Sequence, residues 1–215
     1  MITLGTPVFK RYDLYRKMLL SAEAGEVKPD KYILVDNGSQ ATDSYLETLP
    51  KVNLEVISPG KNVGVSIAWN MIIKSTEDIR IICNDDIIFY PNTIKILAES
   101  FTPERISFPG IEKNENIFSC FLIPDLIVRT VGFFDENFFP AYFEDNDYTR
   151  RLLLAGYQFI PATCSYNHMG SGTLKYYSSW ELAAHHESFK RNREYYIRKW
   201  GGLPEREVFF SPFNK

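Results

Sequence analysis

The chain predicts an α/β fold, with a central, mostly parallel sheet flanked by helices. Two observations carry this. Through about the first hundred residues, short apolar runs alternate with stretches of helical spacing, the pattern of successive βαβ units. One run, Ile79-Arg80-Ile81-Ile82-Cys83-Asn84-Asp85-Asp86-Ile87, reads as a buried parallel strand that ends abruptly in carboxylates. Open α/β sheets bind ligands outside the carboxyl ends of their strands. The rest of the chain is therefore organised around Asp85 and Asp86.

The elements follow in order. Ile2–Thr6 reads as the first strand, stopped by Pro7. Tyr12, Tyr15, Met18, Leu19 and Ala22 then recur at helical spacing, with Gly25 as a stop. Tyr32–Val35 is a short strand running into the turn-forming Asp36-Asn37-Gly38-Ser39, and Leu54–Ile57 is a third strand. Val65, Ala68, Met71 and Ile72 mark one helix face, and Ile81–Ile87 is the next strand. Pro91 suits the first turn of a helix whose face holds Ile94, Leu97, Ala98 and Phe101. Further on, Ile106–Phe108 and Phe118–Ile123 read as strands, Pro124–Val131 as a short helix, Glu144–Ala155 as a helix closed by Gly156, and Tyr157–Ile160 as one more strand. No internal repeat or linker interrupts the chain. The 215 residues suit a single domain: a ligand-binding half over 1–100, a second half over 101–175, and a helix with its tail over 176–215.

Composition narrows the function. A 45% hydrophobic and 24% charged chain is ordinary for a globular protein. A net charge of −3 gives no global basic field for nucleic acid. Cys83, Cys120 and Cys164 are odd in number and form no C-x-x-C pair, which points to reduced thiols in a cytoplasmic protein rather than a disulfide or zinc framework. The start lacks the pattern of a signal peptide, and no apolar run approaches the roughly 20 residues needed to span a bilayer.

Several residues are chemically suggestive, each with a plainer alternative. Asp36 ends a strand at the ligand edge, where a carboxylate accepts bonds from a base or ribose; equally, Asp-Asn-Gly-Ser makes turns for local reasons. Dinucleotide and P-loop glycine signatures are missing, and Lys61-Asn62-Val63-Gly64 stands ahead of a helix instead. Its backbone N–H groups either meet a polar ligand or are capped by Asn62. Asp85 and Asp86 repel one another unless a cation or donors compensate, and oxygen ligands suit Mg²⁺ or Mn²⁺. The alternative is a solvated turn. His168 either completes such a metal site or is a bystander; His185 and His186 read as surface residues of a charged helix. Glu144 and Asp145 open a helix, where the dipole favours an ionised general base and where acidic residues are also common for stability alone.

Taken together and in order, Thr6-Pro7, Val35-Asp36-Asn37-Gly38-Ser39, Asn62-Val63-Gly64 with Asn70, Asn84-Asp85-Asp86, Val131-Gly132-Phe133-Phe134-Asp135-Glu136, Phe143-Glu144-Asp145-Asn146-Asp147 with Arg151, and His168 with Gly170 and Gly172 resemble the family 2 glycosyltransferases, especially their rhamnosyltransferase-like branch. The resemblance implies a GT-A-type, Rossmann-like domain and an inverting transfer from a nucleoside-diphosphate sugar, with UDP or dTDP as the expected carrier. It implies that Asp36 and the Thr6–Pro7 backbone meet base and ribose, that Asn62 and Gly64 lie over the nucleotide, and that Asn84-Asp85-Asp86 is the DxD-like motif. Within that motif Asp86 is the direct ligand of Mn²⁺ or Mg²⁺ and Asp85 lies nearer ribose or sugar. Asn84 stands where many members carry Asp, leaving its role open. His168 matches a late metal ligand, Asp145 the general base and Glu144 its neighbour and substitute. Gly170–Thr173 is the expected lid.

The stretch 181–200 reads as a basic, aromatic helix on which Leu182, Phe189, Tyr196 and Trp200 share a face. It either packs on the sheet, docks on an anionic membrane surface or meets acceptor phosphates, with Arg193 a candidate contact to the donor diphosphate. Polysaccharide or a lipid-linked glycan is the expected acceptor, with protein or nucleic acid left open. Two other classes fit the same motifs: a non-catalytic nucleotide-sugar or carbohydrate-binding module, and a nucleotidyltransferase.

Overall fold

A seven-stranded sheet forms the centre of the computed structural model, which describes residues 1–77, 79–110, 117–169 and 177–215. The strands of the first half are β1 (Ile2–Val8), β2 (Lys31–Asp36), β3 (Leu54–Ile57), β4 (Ile79–Cys83) and the short β5 (Ile87–Phe89). Those of the second half are β6 (Arg105–Pro109), β7 (Cys120–Leu122), β8 (Gln158–Ala162) and β9 (Tyr166–His168). The main sheet runs β3-β2-β1-β4-β7-β6-β8, and β5 pairs separately with β9. The β1–β2, β2–β3, β1–β4 and β6–β8 ladders are parallel, while β7 runs antiparallel to both neighbours. The mostly parallel sheet expected from the alternation is therefore present.

Helices cover both faces. They are α1 (Tyr12–Glu23), α2 (Asp43–Leu46), α3 (Gly64–Ser75), α4 (Thr93–Glu99), α5 (Asp125–Val131), α6 (Glu144–Leu154) and α7 (Ser179–Trp200). Strand side chains alternate between two cores. Leu4, Leu34, Ile81 and Cys83 join Tyr15, Met18 and Leu19 of α1 and Leu97 of α4 on one face. Ile33, Val35 and Ile82 join Trp69 and Ile72 of α3, Ile127 of α5 and Tyr148 of α6 on the other. Burial on both faces is why these strands read as continuous apolar runs. Gly5 lets α3 lie tight against β1, since a Cβ there would sit 2.3 Å from Ile72 Cγ2.

Several boundaries differ from expectation for identifiable reasons. β1 continues through Pro7 to Val8, because its ladder to β4 ends at the Gly5–Ile82 pair and Pro7 falls where only β2 is a neighbour. The run expected to continue to Ile87 breaks at Asn84–Asp86, and Ile87 opens a second sheet by pairing with His168. Phe101 lies beyond the end of α4 and is exposed. Phe118 belongs to a 3₁₀ turn over Ile117–Ser119 that precedes β7. All three cysteines are buried. No helix among the described residues is long and apolar enough to cross a membrane.

Candidate active site

The chain runs outward from β1 to β2 to β3 and then returns to place β4 on the other side of β1. Reversal of strand order at this point opens a crevice beyond the carboxyl ends of β1 and β4. A cleft of about 360 Å³ occupies it, with Pro7 and Phe9 from β1 and its loop, and Asn84, Asp85 and Asp86 from the β4–β5 turn. Asn62, Gly64 and Val65 at the start of α3 line it, as do Glu144 and Asp145 at the start of α6 and His168 at the end of β9. Residues separated by more than a hundred positions in sequence thus share one wall.

β5–β9 pairing sets the relation of Asp86 to His168. Ile87 stands opposite His168, which brings His168 Nε2 to 3.0 Å from Asp86 Oδ1, and Met169 N donates to the Asp86 carbonyl at 3.0 Å. Neighbouring ligands of an octahedral ion bound at about 2.1 Å lie about 3 Å apart. The two donor atoms therefore suit one hard or borderline cation. Among the described residues no cluster of three or more His, Cys, Asp or Glu side chains gathers to hold a metal. Two protein ligands with the remainder from phosphate and water is how Mg²⁺ is usually held. Burial pushes the Asp85 carboxyl up to about 7, reinforced by the adjacent Asp86. A nearby cation would relieve that repulsion.

Glu144 and Asp145 enter the cleft through a strained turn. Tyr142 (φ 78°) and Phe143 (φ 72°) are both left-handed, an arrangement that non-glycine residues hold only when the surroundings enforce it. Helix α7 enforces it here. Asn192 Nδ2 donates to Ala141 O at 2.8 Å and to Tyr142 O at 3.3 Å, Arg191 donates to Phe139 O, and His185 Nε2 lies 2.9 Å from the Tyr142 hydroxyl. Burial raises the pKa of both carboxyls above their ordinary values; for Glu144, proximity to Asp145 adds to it. Asp145 Oδ1 accepts a bond from Asn146 N at 2.8 Å, whereas Glu144 Oε2 is buried without a hydrogen-bond partner among the described residues.

Asn62 and Gly64 act as a pair at the start of α3. Asn62 Oδ1 accepts from Gly64 N at 2.9 Å, Asn37 Oδ1 accepts from Val63 N at 2.7 Å, and Val65 N donates to Pro140 O at 2.8 Å. These bonds consume backbone donors that the sequence left available for a ligand. Gly64 has φ +83°, and a Cβ on it would lie 2.8 Å from Pro140 O. That position joins the two halves of the cleft.

Two expected contacts lie off the cleft wall. Asp36 is buried, and its carboxylate accepts from the Tyr12 hydroxyl, Gln40 N at 2.9 Å, Ala41 N at 3.2 Å and Ser58 Oγ at 3.4 Å. Four donors match the roughly four acceptor positions of a carboxylate. Thr6 is also buried, its hydroxyl 3.3 Å from Cys83 Sγ. Asn37, the next residue after Asp36, lines the cleft instead. Arg193 is exposed on α7 and is not among the lining residues. The expected lid at Gly170–Thr173 lies outside the described residues.

His185 was expected at the surface and instead lines the cleft, half-buried against Tyr142 and Tyr177. Its helix buries Tyr196 and Trp200 of the expected apolar face together with a polar stripe that the apolar residues do not announce. The inward stripe is His185, Ser188, Asn192, Tyr196 and Lys199, at spacings of three and four. Phe189 stays exposed. Polar residues with hydrogen-bonding work to do at a buried seam are invisible to a hydrophobic pattern; their own three-four spacing was the available signal.

A sheet with this strand order, a carboxylate-rich crevice at its switch point and a paired His–Asp define an α/β protein with its ligand site outside the strand ends. The family model for Glycosyl transferase family 2 matches residues 3–116, more than half of the chain, and the chain belongs to that family. A galactofuranosyl glycosyltransferase of Leishmania donovani is 27% identical over 139 residues, covering 58% of this chain and 28% of that protein. This chain thus spans under a third of that relative's length. Among solved structures, the mannosyltransferase PcManGT of Pyrobaculum calidifontis, in complex with GDP-Man and Mn²⁺, aligns with a TM-score of 0.62 at 14% identity, covering 88% of this chain and 64% of that one. GalNAc-T7 with UDP, GalNAc and Mn²⁺ aligns at 0.63 and 11% identity over 93% of this chain and 50% of its own. S. aureus TarS 1–349 with UDP-GlcNAc aligns at 0.59 and 14% identity, over 83% and 62%. Identities this low speak for the fold alone, and that fold is GT-A.

Proposed function

We propose that this chain is an inverting glycosyltransferase that moves a sugar from a nucleoside-diphosphate sugar to an acceptor hydroxyl, and that residues 1–215 form one catalytic unit. The observation that carries the reading is the single cleft in which Asn84, Asp85, Asp86 and His168 share a wall with Glu144 and Asp145. Membership of the family and the Mn²⁺ and nucleotide-sugar complexes of the fold neighbours support it. In this reading the nucleotide lies over Pro7, Asn37, Asn62 and Gly64. Asp36 acts at one remove, tying down the 37–41 turn, and Thr6 braces β4 from behind.

Asp86 and His168 would hold Mn²⁺ or Mg²⁺, which supplies positive charge beside the diphosphate. Asp145 takes the proton from the acceptor hydroxyl as its oxygen bonds to the anomeric carbon, and the bond from that carbon to the diphosphate breaks. The pair of electrons leaves with the nucleoside diphosphate, and attack from the opposite side inverts the anomeric centre. Asp85 faces the donor side. The strained turn at Tyr142–Phe143 fixes the direction from which Asp145 acts.

The test is to incubate the protein with nucleotide sugars and Mn²⁺ and follow release of the nucleoside diphosphate and transfer to acceptors. Asp145→Asn should keep nucleotide and metal binding while losing transfer by about a hundredfold or more, the usual contribution of a general base. Full transfer in that variant would remove Asp145 from the role.

A further inference from the structure

Five successive carbonyls, from Phe138 to Tyr142, each accept a hydrogen bond from outside their own segment. Helix α3 holds two of them: Ser66 Oγ donates to Phe138 O at 3.4 Å and Val65 N to Pro140 O at 2.8 Å. Helix α7 holds the other three, with Arg191 donating to Phe139 O, and Asn192 Nδ2 to Ala141 O at 2.8 Å and to Tyr142 O at 3.3 Å. The segment is a strap drawn between the two helices, and it runs straight into Glu144 and Asp145 at the start of α6. Its last two anchors come from a single nitrogen.

That pair of bonds has a specific consequence. The Ala141 carbonyl lies in the peptide plane before the Tyr142 Cα, and the Tyr142 carbonyl in the plane after it. A peptide unit is rigid, so orienting both planes fixes the two dihedrals of Tyr142. Tyr142 stands at φ 78°, a left-handed conformation that costs free energy for a residue with a Cβ. Freed from Asn192 it would relax toward negative φ, and the residues that follow, Asp145 among them, would turn with it. Asn192 itself is firmly seated, 1% exposed in the interior of a 22-residue helix. Its Oδ1 is buried without a hydrogen-bond partner among the described residues, so the amide is held by its donor side. An apolar side chain of the same size would avoid that unmet acceptor, and packing therefore gives no reason for an asparagine here.

We infer that Asn192 is a positioning residue for sugar transfer: by fixing the backbone of Tyr142 it sets where the Asp145 carboxylate stands in the cleft. Asn192 is not among the residues lining the cleft and acts through the strap. This rests on the glycosyltransferase reading with Asp145 as base, and two readouts keep the two apart. Kinetics of nucleoside-diphosphate release from UDP-glucose, UDP-galactose, GDP-mannose and dTDP-glucose with Mn²⁺, water serving as acceptor, read transfer. The side-chain carboxyl carbon-13 resonance of Asp145, assigned by its loss in Asp145→Asn, reads the carboxylate without any turnover.

Asn192→Leu should lower kcat by about a hundredfold, the order for a reacting group misplaced by about 1 Å, with the KM for the nucleotide sugar within about twofold. Burial raises the Asp145 pKa in the parent. In the variant its carboxyl should titrate lower, toward the ordinary value of about 3.9, as the relaxed turn meets water. Ser188→Ala, one turn earlier on the same buried stripe and bonded to the His185 carbonyl of its own helix, should change neither readout. Melting each variant checks folding; Ala141 and Tyr142 are half-exposed, so their released carbonyls can turn to water. Should Asn192→Leu not fold, Asn192→Gln, whose amide donor is displaced by one methylene, reads the same split. In a folded Asn192 variant, an unchanged kcat, an unchanged Asp145 titration or a rise in KM with kcat intact overturns the proposal. Absence of release from every donor by the folded parent counts against the glycosyltransferase reading, and the Asp145 titration still decides the positioning.

Discussion

Glu144 and Asp145 are adjacent in the chain, yet the start of α6 gives them different surroundings. Glu144 is the more deeply buried, and burial with the nearby Asp145 holds its pKa well above the ordinary carboxyl range. A folded-state pKa above the unfolded value means that its contribution to stability is fully present below the unfolded pKa and is lost as pH rises through the folded one. Glu144→Gln removes that loss, so the variant should melt higher than the parent at neutral and alkaline pH, with the gap closing in acid. Because about 1 kcal/mol moves the melting temperature by ~2–4 °C in a chain of this size, a rise of a few degrees is expected. A lower melting temperature at pH 8 would show that the ionised carboxylate is held by groups other than those described. Asp145 carries the matching kinetic prediction. Burial raises its pKa, and a base works only when ionised, so kcat/KM should fall on the acid side through a value above the ordinary Asp value of about 3.9. A pH profile flat down to about 4 would contradict that assignment.

Among the elements, α7 does most to hold the site in place, and it was also the least legible. Lys199 near its end is buried and donates to Asp135 at 2.7 Å and to Asp147 at 2.6 Å, while Trp200 Nε1 donates to Asp147 at 2.9 Å. Those bonds to Asp147 tie α7 to α6, and Asp147 also receives Arg151 Nε from its own helix at 2.9 Å. Burial works against ionising Asp135, but Lys199 and Asn137 outweigh it and hold the carboxyl down to about 2. The stability from that pair is present above the unfolded value of about 3.9 and is lost as pH falls toward 2. Lys199→Met leaves Asp135 without its cation and Asp147 with Arg151 alone, and should cost about 3–5 kcal/mol, measured by denaturant unfolding. A change under about 1 kcal/mol would mean that the clamp contributes little. The sequence showed a helix at 181–200 and the buried Tyr196 and Trp200, because apolar residues at helical spacing announce themselves. It did not show that Asn192 and Lys199 face inward, since their partners are carbonyls and carboxylates some fifty or more positions earlier. β4, α1 and β3 were legible for the opposite reason: burial on a sheet or helix face is written in local periodicity. The β5–β9 sheet was not, because each strand has three residues and their pairing spans the second half of the chain.

For the whole molecule, the strand order decides where chemistry can occur. Leaving β1 in one direction and returning to its other side opens a crevice at Pro7 and Asn84–Asp86, and the second half closes it with α6, β9 and α7. The ordered series of motifs led to the expectation of one cleft around Asp36, Asp86, Asp145 and His168, because glycines, asparagines and carboxylates at strand ends have backbone and charge reasons to be there. It located Asp86 and His168 within one site, and they lie 3.0 Å apart. It did not foresee that Asp36 would be saturated by Tyr12 and by its own turn, which depends on the packing of α1 against β2.

The proposed nucleotide-sugar site uses a divalent ion at Asp86 and His168. The most direct test is the melting temperature of the protein and of Asp86→Ala with UDP, dTDP, GDP and their sugars, each with and without Mn²⁺. A ligand that binds only the folded state raises the melting temperature. We expect a shift with one nucleotide in the parent, larger with Mn²⁺, and loss of the Mn²⁺-dependent part in Asp86→Ala. No shift with any nucleotide, or an Mn²⁺-dependent shift that survives in Asp86→Ala, would contradict it.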